Sequence, residues 1–257
     1  MADPLILAAP WLRGLIGLLL GAIAGSFLAT IVVRWPAGRS IAQGRSQCDG
    51  CAAPLRAHEL VPLLSYVMQA GRCRRCGRRI DRRHPAIELA SGLIGAAALV
   101  ALPGWAGLAG ALFGWVLLAL AVLDFEHLWL PDKLTLPLVG LGLAAGLAGA
   151  EPALTERVIG AAGGFLLLRW IAAGYRLLRG RTGLGGGDPK LFAAIGAWLG
   201  WRALPSVLLV ASLMGIAVVL LLMLRGRKVE ATSRLPFGLF LALAAWPVWL
   251  LEHVRLD

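Results

Sequence analysis

Two acidic residues stand where long apolar runs give way to polar sequence. Asp124 opens the segment 124–132, and Asp188 closes the glycine-rich segment 183–188. Carboxylates near hydrocarbon are costly and tend to be functional, and this chain has only 14 acidic residues. Two carboxyl groups brought together can share one proton, so that one acts as a general base on water and the other as an acid. Asp124 and Asp188 are therefore candidates for aspartic protease chemistry.

Both segments also admit a structural interpretation. Asp188 precedes a proline, which is typical of a helix N-cap followed by proline at the first helical position, and Asp132 could cap a helix in the same way. Neither cap explains the glycines that precede Asp188. Glycines remove side chains where another backbone, such as an extended substrate, must come close. The candidate substrate loop contains Gly185, Gly186 and Gly187.

All four cysteines fall into two pairs with the spacing of a metal site. Cys48 and Cys51 enclose two residues, Cys73 and Cys76 enclose two more, and 21 residues separate the pairs. Each short gap lets both thiolates of a pair reach one ion, and two such pairs complete a tetrahedral zinc site. Four thiolates close the coordination sphere, so this zinc would be structural. Gly77 suits the tight turn of such a site, and disulfides or redox chemistry remain the alternative.

The elements that must position these residues are apolar helices. Hydrophobic residues make up 59% of the chain and charged residues 15%, against about half and about a quarter in soluble domains. At about 20 residues per crossing, the sequence predicts an all-α polytopic membrane protein with about eight transmembrane helices. The first apolar run, at 11–33, is too long for the core of a signal peptide and is expected to remain as a helix. The predicted spans are 12–33, 84–101, 105–123, 131–149, 157–178, 187–201, 204–224 and 236–252.

Basic residues are distributed unevenly between the two sides of this bundle. Of the 25 Lys and Arg residues, 20 lie in the alternate connections 34–83, 124–133, 176–190 and 225–234. The positive-inside rule makes these connections cytosolic and both termini periplasmic. Topology and attraction to anionic lipid headgroups explain the net charge of +11 without a nucleic-acid partner. The predicted parts are a first transmembrane helix (12–33), a cytosolic four-cysteine zinc module (34–83) and a seven-helix membrane peptidase core (84–252).

Several motifs together resemble the bacterial prepilin peptidase family, also called type 4 prepilin-like leader peptidases, over most of the chain. The resemblance to the family's first helix and cysteine-bearing domain lies in GSFL at 25–28, RWP at 34–36, RSQC at 45–48, PLLSY at 62–66, GRCRRCG at 71–77 and PAIEL at 85–89. Asp124 with LPD at 130–132 resembles the first catalytic block, and GGGD at 185–188 with Lys190 resembles the second. PFG at 236–238 resembles the start of the last helix.

The resemblance implies an eight-helix enzyme of the bacterial inner membrane. Such an enzyme removes the short leader from type IV prepilins or type II secretion pseudopilins at the cytosolic face. By position Asp124 and Asp188 match its catalytic pair, and Lys190 joins the glycines in the substrate loop. Many members also methylate the new N-terminus with S-adenosylmethionine, an activity associated with the cysteine domain. Pilus-building and secretion substrates both remain open.

Two other classes of protein fit part of the pattern. An ion-coupled transporter or proton channel also uses carboxylates in a membrane, but it would need acidic residues deep within helices and no cytosolic zinc module. A non-catalytic zinc-bearing scaffold of a secretion machine is the second alternative. Cleavage of a reconstituted prepilin, with variants of the acidic pair as controls, distinguishes the three.

Overall fold

The computed structural model describes residues 9–41, 46–48, 50–181, 183–226 and 235–254. Arg45, part of one motif quoted above, lies outside these ranges. Within them the chain is helical, and the only β-pairing is two isolated bridges, so the all-α prediction is confirmed. The α-helices in these ranges are α1 (Pro10–Arg34), α2 (Leu64–Met68), α3 (Arg83–Ala101), α4 (Gly104–His127), α5 (Asp132–Leu147), α6 (Leu154–Arg179), α7 (Asp188–Leu199), α8 (Leu204–Leu224) and α9 (Phe237–Val254).

Five of these helices, α1, α3, α4, α6 and α8, are long and apolar enough to cross a membrane. α8 is the most apolar of them, yet only 11% of its most apolar 18-residue stretch is buried inside the protein. Water would make so much exposed apolar surface unfavourable, whereas lipid covers it without cost. The prediction of a polytopic membrane protein is therefore confirmed, with α5, α7 and α9 as shorter helices.

Proline and glycine set several helix ends. Pro10, Pro189 and Pro205 lie in the first turns of α1, α7 and α8, where a missing backbone N–H costs no intrahelical hydrogen bond. Gly180 and Gly200 follow the last residues of α6 and α7 with φ of 69° and 74°. Glycine adopts these left-handed angles without the steric penalty of a Cβ atom. The breaks between the membrane helices are thus encoded locally.

The chain divides into two compact units, Met1–Ala119 and Leu120–Asp257. In the first unit α1 and α3 pack with their backbones in contact. A Cβ atom added at Gly17 would overlap the backbone of Gly95, and one added at Gly21 would overlap the backbone of Ser91. Small residues at this spacing let membrane helices approach closely, which strengthens their van der Waals packing. This helix pair carries the cysteine-bearing segment 46–80 between its two members.

The second unit is organised around the short helix α7. Eleven of its 12 residues are buried, and the pattern is that of a helix surrounded by protein on all sides. Gly160 of α6 and Gly196 of α7 face each other without room for side chains. The indole N–H of Trp198 donates a 2.8 Å hydrogen bond to the carbonyl of Leu138 in α5. The span predicted at 187–201 is therefore a short, enclosed helix, about 18 Å long.

Candidate functional site

Asp124 lies in the last turn of α4 and is buried, with 5% of its surface exposed. Its Oδ2 atom accepts a 2.9 Å hydrogen bond from the backbone N–H of Leu239, in the first turn of α9. The preceding N–H group, that of Gly238, also interacts with this carboxyl group. The start of α9 thus supplies polar partners for a carboxyl group that would otherwise be buried without them.

Asp188 is the first residue of α7 and is equally buried, at 5% exposure. The N-cap position of α7 belongs to Gly187, and Asp188 makes no capping hydrogen bond. Its Oδ2 atom instead accepts a 2.8 Å hydrogen bond from the backbone N–H of Gly185, in the loop before the helix. The capping interpretation of Asp188 is therefore wrong, and its carboxyl group is directed to the glycine loop.

Both carboxyl groups converge on the same backbone group. The N–H of Gly238 interacts with Asp188 as well as with Asp124, and the charge of Asp124 acts directly on Asp188. The residues are 64 positions apart in sequence, and both belong to the second unit. Two buried carboxyl groups at this proximity cannot both ionise freely and tend to share one proton. The arrangement has the chemical capacity for general acid and general base action on one substrate.

Leu130 closes the space between the two acidic segments. A Cβ atom added at Gly187 would lie 2.7 Å from Cβ of Leu130, and one added at Gly238 would lie 2.8 Å from its Cδ1. A Cβ atom at Gly185 would lie 2.9 Å from Oδ2 of Asp188. A Cβ atom at any of these three glycines would therefore force a neighbouring side chain of the protein to shift. Gly186 differs, because a Cβ atom there would meet nothing within 4 Å.

Lys190, the other member of the candidate substrate loop, forms an ion pair with Asp132. Its Nζ atom lies 2.7 and 2.8 Å from the two carboxylate oxygens of Asp132. Asp132 is the first residue of α5 and makes no capping hydrogen bond, since the N-cap is Pro131. The ion pair therefore joins the starts of α5 and α7 beside the acidic pair.

The sequence motifs did not single out the N–H groups of Gly238 and Leu239 as partners of the carboxyl groups. The available signal was Gly238 itself, a glycine in the first turn of an apolar helix with no turn that requires it. A Cβ atom at this position would lie 2.9 Å from Oδ2 of Asp124. Glycine in such a position indicates a close approach by other atoms.

The four cysteines form one cluster in the first unit. Their sulfur atoms all lie within 4.8 Å of one another, and those of Cys48 and Cys76 are 3.8 Å apart. All four are free thiols. A tetrahedron with zinc–sulfur bonds of about 2.3 Å has edges of about 3.8 Å. Cys48, Cys51, Cys73 and Cys76 are thus positioned to bind a metal ion.

Each cysteine pair lies in a small bridged turn. Gln47 pairs with Pro54 around the first turn, and Arg72 pairs with Arg79 around the second. The residue after each second cysteine has a left-handed backbone, with φ of 54° at Ala52 and 71° at Gly77. The turn predicted at Gly77 is therefore confirmed. Both turns direct their thiols to the same point.

The electrostatics of the thiols favour a cation. Backbone hydrogen bonds from Cys76 and then Arg75 lower the pKa of the Cys73 thiol from 9.0 to about 7. A backbone hydrogen bond from Arg78 lowers the pKa of Cys76, but desolvation and the other three thiols outweigh it and raise that pKa to about 11. One thiolate forms readily and then opposes ionisation of its neighbours. A divalent metal ion removes this conflict, because it stabilises all four thiolates together.

Comparisons with known proteins agree with these features. The bacterial peptidase A24 N-terminal domain matches residues 19–102, and the type IV leader peptidase family matches residues 111–220. Three similar proteins carry the name prepilin leader peptidase/N-methyltransferase. The one from Burkholderia pseudomallei is 44% identical over 252 residues, covering 88% of this chain and 81% of that protein.

The second, from Dickeya chrysanthemi, is 41% identical over 258 residues, covering 91% of this chain and 90% of that protein. The third, from Aeromonas hydrophila, is 45% identical over 207 residues, covering 79% of this chain and 70% of that protein. No solved structure matches the chain significantly. The resemblance found in the sequence motifs is therefore confirmed, and the chain belongs to the type IV leader peptidase family.

Proposed function

We propose that this protein is a membrane aspartic endopeptidase that removes leader peptides from type IV prepilins or type II secretion pseudopilins. The observation that carries the proposal is the convergence of Asp124 and Asp188 on the N–H of Gly238. Both carboxyl groups are buried, yet neither has a cation as partner in the described part of the chain. The relatives named as prepilin leader peptidases support the choice of substrate.

The proposed reaction is hydrolysis by two carboxyl groups in complementary protonation states. The ionised carboxylate takes a proton from water while the water oxygen attacks the scissile carbonyl carbon, and the protonated partner gives its proton to the carbonyl oxygen. Collapse of the tetrahedral intermediate breaks the C–N bond, and the leaving amine takes up a proton. The backbone N–H groups around the pair fix its geometry. The two residues titrate as a unit, so the roles of acid and base belong to the pair.

The proposed location is the bacterial inner membrane, with both termini periplasmic and the acidic pair and cysteines on the cytosolic side. The excess of basic residues in alternate connections supports this topology. In this topology Gly186 belongs to a loop beside the path of the substrate, and Lys190 lies next to that loop in the first turn of α7. The open space around Gly186 supports its role.

The proposed metal of the cysteine cluster is a structural zinc ion. The 3.8 Å separation of two of the sulfurs matches the edge of a zinc–thiolate tetrahedron. The cysteine module 34–83 is too small to bury a large hydrophobic core, and a metal would supply part of its stability. The zinc would hold the two bridged turns together and take no part in hydrolysis.

We also propose that the chain methylates the new N-terminus of its substrate with S-adenosylmethionine as the methyl donor. The names of its relatives support this second activity. The two activities would act in sequence, since cleavage creates the amine that is methylated.

Replacement of either aspartate tests the peptidase proposal. Asp124→Asn and Asp188→Asn should each abolish cleavage of a reconstituted prepilin, because an amide can neither give nor take the required proton. Glu126→Gln is the matched control, since Glu126 is exposed and lies beside Asp124 in the same turn. All three variants should keep the thermal unfolding midpoint of the wild type. Normal cleavage by Asp188→Asn would reject the assignment.

A further inference from the structure

The short helix α2 of the first unit turns its apolar residues outward. Leu64, Val67 and Met68 lie three and four positions apart, so they share one face of the helix, and they are 56%, 73% and 65% exposed. Leu60 and Val61, directly before the helix, are exposed as well. Single exposed apolar side chains are ordinary, but an apolar patch such as these residues form at 60–68 indicates an interaction surface.

The polar residues of α2 face the protein instead. Ser65 and Tyr66 of the helix and Gln69 directly after it line a cavity of the first unit. The Tyr66 ring is fixed on this side, because it packs against Gly71, where an added Cβ atom would lie 2.9 Å from the ring and hydroxyl atoms. A helix on the surface of a water-soluble domain shows the reverse pattern, with its apolar side chains turned inward. The inverted pattern of α2 is favourable where the surrounding medium is itself apolar.

The start of α2 is anchored to the membrane-spanning helices α1 and α3. The backbone N–H of Leu63 donates a 2.8 Å hydrogen bond to Oε2 of Glu88 in α3, and Leu63 has a left-handed φ of 59° that a leucine adopts only when its surroundings hold it. Glu88 lies in the contact between the two helices, since a Cβ atom at Gly25 of α1 would lie 2.7 Å from its Cα. From Gly25, α1 continues for about 14 Å to its end at Arg34. The start of α2 is thus held beside the membrane helices and not beyond their ends.

Arginines border the apolar patch. The cysteine module that contains α2 has eleven arginines and three acidic residues. The charges of Arg56 and Arg74 both act on Glu59, in the 3₁₀ helix Ala57–Leu60 that leads into the patch. A guanidinium nitrogen of Arg74 also lies 3.5 Å from Nε2 of His58 in the same turn. An apolar surface with arginines beside it is complementary to an anionic membrane, where acyl chains lie next to negative headgroups.

We propose that α2 is an interfacial helix, whose apolar face lies in the boundary of the membrane while Arg56 and Arg74 contact the phosphates of anionic lipids. This rests on the membrane location proposed above. A soluble partner protein fits less well, because the bond between Leu63 and Glu88 holds the patch at the level of a membrane-spanning helix. The contact with lipid would hold the cysteine module against the membrane surface.

Photochemical cross-linking of the full chain in nanodiscs that contain phosphatidylglycerol tests the assignment. With p-benzoylphenylalanine in place of Val67, we expect an adduct with the mass of one phospholipid on the peptide that carries the probe. The same probe in place of Arg75 is the control, because Arg75 is exposed but lies in the second cysteine turn, outside the patch. An adduct of the probe at 67 with a second copy of the chain or with a reconstituted prepilin, or the absence of a lipid adduct there, would overturn the proposal.

Amide hydrogen exchange provides an independent test. Peptides covering 60–70 should exchange about tenfold or more slowly in nanodiscs with phosphatidylglycerol than in nanodiscs of phosphatidylcholine alone, because each arginine near the surface adds to the attraction. Val67→Asp should remove this protection, since a carboxylate is disfavoured among acyl chains. Ala37→Asp is the matched control, because it adds the same charge at an exposed position of the module outside the patch. The helical circular dichroism of both variants should equal that of the wild type.

Full protection of 60–70 in Val67→Asp would show that lipid does not cover the patch. Equal protection in the two kinds of nanodisc would overturn the contact of the arginines with anionic headgroups. Neither measurement uses cleavage or methylation, so both outcomes would leave the proposed enzymatic functions untouched.

Discussion

The backbone N–H of Leu239 and Oδ2 of Asp124 are joined by a 2.9 Å hydrogen bond between residues 115 positions apart. This bond ties the first turn of α9 to the last turn of α4. The adjacent Gly238 has no space for a side chain, since a Cβ atom would lie 2.9 Å from Oδ2 of Asp124 and 2.8 Å from Leu130. The absence of a side chain at 238 lets two consecutive N–H groups reach the carboxyl groups.

Gly238→Ala should therefore impair cleavage. The added methyl group would displace the Asp124 carboxyl group, and a displacement near 1 Å can lower a rate on the order of a hundredfold. Gly215→Ala is the control, because its Cβ atom would make an ordinary 3.5 Å contact with Phe240. The readout is kcat/KM for a prepilin peptide. Equal activity of the two variants would show that the contact at 238 has no bearing on the reaction.

The glycine loop offers a second test with neighbouring positions. Gly186→Ala adds a methyl group to open space, whereas Gly187→Ala brings Cβ to 2.7 Å from Cβ of Leu130. If substrate passes Gly186, its alanine variant should raise KM at an unchanged unfolding midpoint. Gly187→Ala should lower that midpoint together with kcat. An unchanged KM for both Gly186→Ala and the bulkier Gly186→Val would remove Gly186 from the substrate path.

The positions of the helices were predictable from the sequence because apolar runs and their breaks are local signals. Each of the eight predicted spans has a helical counterpart. The role of α7 was not predictable in the same way. Its apolar residues satisfy the criterion for a lipid-facing span, but its 12 residues are enclosed by neighbouring helices. Composition does not distinguish protein from lipid as the covering medium.

The acidic residues and cysteines could be selected from the sequence because both kinds of group are rare in this chain. Their hydrogen-bond partners could not, since the donors to Asp124 and Asp188 are backbone N–H groups that every residue type other than proline carries. The glycines of the loop illustrate the same limit. The sequence predicts that other atoms approach these glycines closely. Only the structure shows that Leu130 does so at Gly187 and that the space around Gly186 is open.

Metal removal provides a test of the cysteine cluster. A preparation of the wild type should contain about one zinc per chain, and Cys48→Ser should contain less, since three thiolates leave the site incomplete. Chelation should make segment 46–80 sensitive to protease while the helical circular dichroism is kept, because the membrane helices do not depend on the metal. A metal-free protein with unchanged protease resistance in this segment would contradict a structural role.

Arg157 is a buried residue of α6, with 3% of its surface exposed. Its guanidinium group donates to four carbonyl oxygens, at 2.7 Å to Glu151, 2.8 Å to Pro152, 3.0 Å to Gly142 and 2.9 Å to Ala197. These carbonyls belong to α5, to the connection after it and to α7. One side chain thus holds together the elements that surround α7.

Arg157→Met should consequently destabilise the second unit. The variant would leave several buried carbonyl groups without donors, and each such group costs about 1–3 kcal/mol, so a total loss of about 3 kcal/mol or more is expected. Arg202→Met is the matched control, because the Arg202 side chain is 72% exposed and its ion pair with Glu156 contributes at most about 1 kcal/mol. Thermal unfolding in detergent measures both. Because α7 begins with Asp188, Arg157→Met should also lower cleavage at temperatures close to the unfolding midpoint of the variant. Similar unfolding midpoints for Arg157→Met and Arg202→Met would show that these four hydrogen bonds do not hold α7 in place.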